Sequence, residues 1–353
     1  MAIRRLIASG VAVGLILAAA IPVAAHGQGS SRNGYAVTVL VTGPSPDADL
    51  VNGWGISRAP TSPWWVADNG TDLSTLYTAD GAKQTRRVAI PGGAPTGTVF
   101  NPGAGAGDFH GDNFLFDSEA GLIIGWRGAL GAAAEIGNDD FAGDAVYKGL
   151  AIGTADLGGG AASYLYATDF HNGRIDIFDR TFAAQTWPGA FVDPHLPKGF
   201  APFGIQNLDG VVYVTYAKTQ AGSDDERAGH GLGVVDSFAT DGTFLGRVAT
   251  RGRLNAPWGL ARAPADFGRF SGDLLVGNFG DGTIQAYHWD GSEWERHGEL
   301  RNMDHEPIVV DGLWGIGFGG GNATNGPANT LFFAAGPNDE AGGAFGTVTV
   351  ATP

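Results

Sequence analysis

The sequence predicts an all-β chain folded as a six-bladed β-propeller, closed by an N-terminal strand that joins the last blade. Three observations carry this. A glycine behind a short entry segment recurs at Gly55, Gly97, Gly149, Gly204, Gly259 and Gly315, at steps of 42, 52, 55, 55 and 56 residues. Each interval holds about four short runs of β-branched and aromatic residues, broken by Gly, Asp and Asn. Helical periodicity is missing over any long window beyond the N-terminal apolar run. The 59 glycines and 18 prolines alternate with these runs, which suits turn-dense β structure better than disorder.

Taken in order, residues 1–25 read as a cleaved secretory leader. Arg4 and Arg5 precede an apolar run over 6–21, and Val23-Ala24-Ala25 fits a small-residue cleavage site. The run is nearly long enough to span a bilayer, so an uncleaved anchor is the alternative. No second run of that length follows, so no transmembrane segment is expected after cleavage. The leader implies export, to the periplasm or the exterior. Residues 26–34 read as a flexible segment and 35–353 as a single propeller domain. The strand at 35–42 precedes the first anchor glycine, while the last unit ends at 345–350 one strand short. Pairing the two would remove an open sheet edge.

Blade one is expected to use 54–58, 64–67, 74–78 and 85–90. Blade two shows 113–116 and 122–126 clearly, and blade three 149–152, 163–167 and 174–178; both have weak outer strands. Blade four takes 204–207, 211–215, 233–238 and 244–248. Blade five takes 259–262, 273–276, 283–287 and 293–297. Blade six takes 314–318, 330–334, 345–350 and the N-terminal strand. Gly-rich loops at 102–112, 154–162, 263–272 and 319–329 separate first from second strands, and share one face. The other face carries the second-to-third-strand turns and the blade connections. Its longest loop, 219–232, is expected to fold over the channel mouth and bring Arg227 or His230 toward Lys148, Asp169 and His171.

Composition narrows the function. The formal charge is −15, and losing a leader that carries Arg4 and Arg5 makes it −17. An acidic surface disfavours nucleic acid and anionic membranes and tolerates cations. The absence of cysteine excludes disulfides, thiolate metal sites and cysteine nucleophiles. No Gly-x-Ser-x-Gly elbow, His-Glu-x-x-His, EF-hand loop or phosphate loop is present.

The second-to-third-strand turns place Asp68, Asn69, Asp117, Asp169, His171, Asn172, Lys218, Asn278, Asp281, Asn338 and Asp339 at one rim. Two readings stay open. Asp and Asn serve tight turns by bonding local backbone. Alternatively, Asp68, Asp169, Asn278 and Asp281 supply oxygens to a calcium-like divalent cation. Four anchor glycines follow an aromatic, Trp54, Phe203, Trp258 or Trp314, which either packs between blades or floors a site for a planar ligand. Lys148 stands where those aromatics stand, and reads as an ion-pair partner of rim acids or as a desolvated base or electrophile. With Asp169, His171, Lys218, Arg227 and His230 it forms the candidate ligand-binding set; His195 lies in a blade connection on the same face.

Trp-Val-Ala-Asp-Asn-Gly-Thr (65–71), Tyr-Lys-Gly-Leu-Ala-Ile-Gly (147–153), Tyr-Ala-Thr-Asp-Phe-His-Asn-Gly-Arg-Ile-Asp-Ile-Phe-Asp (166–179), Tyr-Val-Thr-Tyr-Ala-Lys (213–218) and Leu-Leu-Val-Gly-Asn-Phe-Gly-Asp-Gly-Thr-Ile (274–284) resemble a family of uncharacterised exported bacterial propellers. The likeness runs from about 35 to 347. More distantly, the Pro-x-Gly-Ile/Leu entries are similar to NHL-repeat propellers, an architecture shared with metal-dependent gluconolactonase-type hydrolases. The resemblance implies fold and export. It carries over no catalytic residue, because a metal triad of Glu, Asn and Asp does not align onto this chain. The expectation is a monomer that binds a small molecule or a protein partner at the Asp/Asn-rich mouth. A metal-dependent hydrolase or lactonase and an envelope scaffold or adhesion protein are the alternatives.

Overall fold

The structure, a computed structural model, describes residues 34–139 and 143–351. The leader expected over 1–25, and the segment 26–34 except Gly34, lie outside these residues. Short runs such as Trp64-Trp-Val-Ala-Asp68 are rich in residues that favour a pleated surface. They form six antiparallel sheets that follow the chain in order. Blade one is Gly53–Ser57, Trp64–Asp68, Leu73–Tyr77 and Lys83–Ala89. Blade two is Pro95–Phe100, Phe114–Ser118, Ile123–Trp126 and Glu135–Asn138. Blade three is Tyr147–Asp156, Ala161–Asp169, Arg174–Asp179 and the short Ala184–Gln185. Blade four is Phe200–Leu208, Val211–Thr219, Gly233–Ala239 and Phe244–Thr250. Blade five is Pro257–Arg262, Leu274–Asn278, Ile284–Trp289 and Trp294–Glu299. Blade six is Leu313–Phe318, Leu331–Ala335, Gly343–Ala351 and, outermost, Gly34–Gly43.

One loop differs from expectation. The stretch 154–162 is mostly strand, with Thr154 opposite Ser163 and Asp156 opposite Ala161. The hairpin is tight because Asp156 Oδ1 accepts from the backbone N–H groups of Gly158 and Gly160 at 2.9 and 3.0 Å.

Closure by the N-terminal strand is as expected. Gly34 to Gly43 pair antiparallel with Ala351 to Gly343, across one bulge between Val39 and Val41. Tyr35 fastens this strand to blade five as well. Its ring packs on Phe267 and Phe270, and its hydroxyl donates to the Phe267 carbonyl at 3.0 Å.

Among the described residues the apolar side chains collect at the six seams between blades. One cluster joins blades five and six through Leu275, Ile284, Phe333 and Val348. Another joins six to one through Trp64, Tyr77, Phe332 and Phe345. A seventh cluster sits at one end of the central channel and holds Trp54, Phe170, Phe203, Trp258, Phe279 and Trp314. The anchor glycines explain how the inner strands approach so closely. A Cβ on Gly259 would stand 2.6 Å from the Trp314 carbonyl oxygen, and one on Gly315 2.8 Å from that of Trp54. Each inner strand thus rests on the next, and the ring shuts from blade six to blade one. No helix among the described residues is long and apolar enough to cross a membrane.

Candidate functional site

The residue before each anchor glycine points the site's chemistry toward one channel end. Trp314 is sandwiched between Trp54 and Phe279, with ring centroids at 3.7 and 4.0 Å. Trp258 meets Trp314 edge-on at 5.8 Å. These rings plug the channel, so the mouth above them has an aromatic floor. Trp314 Nε1 donates to Asn52 Oδ1 at 2.9 Å and Trp258 Nε1 to the Lys148 carbonyl at 2.7 Å. Trp54 Nε1 is buried without a partner.

Lys148 is 2% exposed, far below what an unpaired lysine tolerates. Its Nζ lies 2.5 Å from Glu119 Oε1 and 5.4 Å from the centre of the Trp54 ring. Two further acids from other blades lie close enough to feel this charge. Glu226 comes from the 219–232 loop, where Glu226–Arg227 pairs with Thr219 and Lys218 as a short strand. Burial pushes the Glu226 carboxyl up, while the Lys148 charge opposes the shift. Glu340 comes from the second-to-third-strand turn of blade six. Burial, and then the charges of Glu226 and Glu119, push its carboxyl up to about 7. Asn338, Asp339 and Glu340 are all left-handed, with φ of 60°, 52° and 66°. Three such residues in succession are uncommon without glycine and cost energy.

The sequence-derived candidates divide. Lys148 is an ion-pair partner, as one of its two readings held. Asp169 bonds its own turn, accepting from Val146 N, Asn172 N and Asn172 Nδ2. His171 Nδ1 lies 2.5 Å from Asp224 Oδ1 at an exposed position, and Asp224 raises its pKa. The 219–232 loop therefore reaches the mouth through Asp224 and Glu226. Arg227 and His230, expected to make that approach, are both exposed and form no ion pair among the described residues. The strand pairing turns neighbouring side chains to opposite faces, so Glu226 faces in and Arg227 out. Lys218 donates to the Lys198 carbonyl at 2.9 Å and caps the Phe200 ring. His195 is exposed.

The expected calcium-like set does not assemble. Among the described residues, acids and histidines gather within 4.8 Å only as Asp273–His288–His297 and His110–Asp112–Glu135, so Asp68, Asp169 and Asp281 form no common site. Asp169 and Asp281 instead bond their own surroundings, while both carboxylate oxygens of Asp68 are buried without a hydrogen-bond partner. Asp281 Oδ1 accepts from the Thr283 N–H and hydroxyl, and its Oδ2 from Asn255 Nδ2 at 3.1 Å. Asn278 bonds the backbone of Asn255 and Arg253. Asp68 is fully buried, and burial raises its carboxyl well above the usual range. Of the two gathered groups, His110–Asp112–Glu135 already holds a cation, because Arg127 bonds Asp112 at 2.8 Å and Glu135 at 2.6 Å.

The other channel end opens into a cavity of about 550 Å³, lined from all six inner strands. Several of its polar groups are already committed. Arg58 donates to the Phe318 and Gly319 carbonyls, Asn207 to that of Ile152, and Ser57 bonds Thr98 at 3.0 Å. It holds room, whereas the opposite mouth holds the perturbed acids and the buried lysine. Perturbed groups of that kind are the stronger mark of function. Glu119, Glu226 and Glu340 had no marker in the sequence, because three separate loops bring them to one lysine. The lysine itself, standing in an aromatic series, was the available signal.

No model of a known protein family matches the chain. Uncharacterized protein R648 of Acanthamoeba polyphaga mimivirus is 31% identical over 291 residues, covering 76% of this chain and 69% of the relative. Uncharacterized protein L690 of the same virus is 32% identical over 292 residues, covering 76% and 74%. These relatives are viral, whereas the motifs resemble exported bacterial proteins. Among solved structures, the soluble aldose sugar dehydrogenase of Escherichia coli aligns with a TM-score of 0.55 at 11% identity, over 90% of this chain and 100% of that one. A streptogramin B lyase aligns at 0.52 and 12%, over 91% and 99%. At such identities the likeness establishes the propeller fold alone. The two viral relatives go further, and the chain belongs to their family, with a six-bladed propeller as its fold.

Proposed function

We propose that the mouth bearing Lys148 binds a small organic cation, an amine or quaternary ammonium group, above the aromatic floor. One observation carries this reading: Glu226 and Glu340 are half-buried beside a single lysine that Glu119 already pairs. Half-buried acids in excess of their cations favour a further positive charge, which would restore their ionised forms. Aromatic faces add cation–π attraction, and Lys148 over Trp54 is the internal example. The left-handed turn that carries Glu340 supports the reading, since backbone strain concentrates at functional sites. The protein would act as an exported, monomeric binding protein. Export rests on Arg4, Arg5 and the apolar run; an intact mass that begins at His26 supports it, and retention of Met1 removes it.

The test is calorimetric titration with tetramethylammonium at pH 6 and pH 8, with glucose as a neutral probe. The expected result is tighter binding at pH 8, because Glu340 loses its proton near pH 7. The double variant Glu226→Gln, Glu340→Gln should weaken binding by at least about tenfold, the loss expected when charged partners of a desolvated cation are removed. Equal affinity in the double variant, or binding of glucose in preference to the cation, would remove this reading.

A further inference from the structure

Asp273, His288 and His297 meet on blade five, apart from the Lys148 mouth. Asp273 immediately precedes the strand Leu274–Asn278, while His288 and His297 lie on Ile284–Trp289 and Trp294–Glu299. The carboxylate of Asp273 is 1% exposed, and each oxygen faces one imidazole. Oδ1 is 2.8 Å from His288 Nδ1, and Oδ2 is 2.6 Å from His297 Nδ1. No lysine or arginine pairs with this carboxylate among the described residues. The backbone beneath is fixed: Asp273 N–H donates to the Phe270 carbonyl at 3.1 Å, and the Asp273 carbonyl accepts from Ala263 at 2.9 Å. Phe270 meets the His297 ring edge-on at 5.3 Å and limits its rotation. The two imidazoles remain partly open to solvent.

Two imidazole nitrogens and one carboxylate oxygen on rigid strands, buried on one side and open on the other, form a recognised donor set for first-row transition ions. Calcium and magnesium prefer all-oxygen sets and are disfavoured by two nitrogens. We propose that Asp273, His288 and His297 bind one divalent transition ion of the Zn²⁺ type, with water in the remaining positions. Binding takes both imidazoles as neutral ligands through Nδ1, with the ring proton of each on Nε2. The ion would tie the 263–273 loop to the outer strand of blade five.

Equilibrium dialysis of the full chain against Zn²⁺, with Co²⁺ as a spectroscopic probe, tests this. Wild type should hold one equivalent of Zn²⁺ and give a Co²⁺ absorption band that Zn²⁺ abolishes. His288→Ala and His297→Ala should each weaken binding more than tenfold and lose the band. Both histidines are partly exposed, so the metal-free variants should keep the wild-type circular dichroism and melt cooperatively. If one variant unfolds, the other still decides, and Asp273→Asn serves as a third. Zn²⁺ retained equally by wild type and folded variants, or Ca²⁺ bound in preference at this site, would overturn the proposal. No Zn²⁺ bound by wild type would reduce the triad to a hydrogen-bonded cluster.

Discussion

At the residue scale, single positions carry more than their size suggests. Gly259 lets one inner strand rest against the Trp314 carbonyl, and no side chain fits there. Gly259→Ala should therefore destabilise the protein by about 1–3 kcal/mol, the usual cost of overpacking; chemical denaturation reads this directly, and an unchanged midpoint would deny the close approach a role. Glu340 gives a pH signature. Its carboxyl titrates near 7 in the folded chain and near 4.5 when unfolded. The folded state therefore binds more protons between those values. Its contribution is complete below pH 4.5 and lost as pH rises through 7. Glu340→Gln should thus leave stability unchanged at pH 4 and raise it at pH 8. The gain is on the order of 1 kcal/mol once solvent screening is allowed for. A variant less stable than wild type at pH 8 would contradict the assignment.

At the element scale, two segments separate function from folding. The 219–232 loop places Asp224 beside His171 and Glu226 near Lys148, yet most of its residues are exposed. Replacing 220–228 by a short Gly-Ser turn should cost at least about tenfold in tetramethylammonium affinity and little in melting temperature, because few apolar contacts are lost. Full binding after replacement would show that the loop is a passive excursion. The strand Gly34–Gly43 has the opposite character. It covers the edge of Gly343–Ala351 and plants Tyr35 between blades five and six. A chain lacking 26–43 should aggregate or melt at lower temperature; a soluble product with an unchanged transition would refute closure by this strand.

At the scale of the whole molecule, the seams set the behaviour. The apolar clusters among the described residues lie between blades, so each sheet borrows its core from both neighbours. No blade can then unfold without exposing two seams. Calorimetry should show one transition whose calorimetric and van't Hoff enthalpies agree. Two resolved transitions would show that a blade, or a pair, folds alone.

The sequence by itself determined the number of blades, their order and the closing strand. Those follow from local chemistry: a glycine where strands touch, β-branched runs, and Asp or Asn in turns. It also singled out Lys148, because a lysine broke a series of aromatic neighbours. It could not tell that 154–162 is a tight hairpin, since that depends on Asp156 folding back on two glycine N–H groups. Nor could it choose between turn chemistry and a shared cation for Asp68, Asp169 and Asp281. That choice depends on where three separate blades aim their oxygens. Only the tertiary structure brought Glu119, Glu226 and Glu340 to Lys148, and Asp273 to His288 and His297. Periodicity records which residues are buried and which turn the chain; which side chains meet across loops is decided by the ring's closure, and leaves no regular spacing to read.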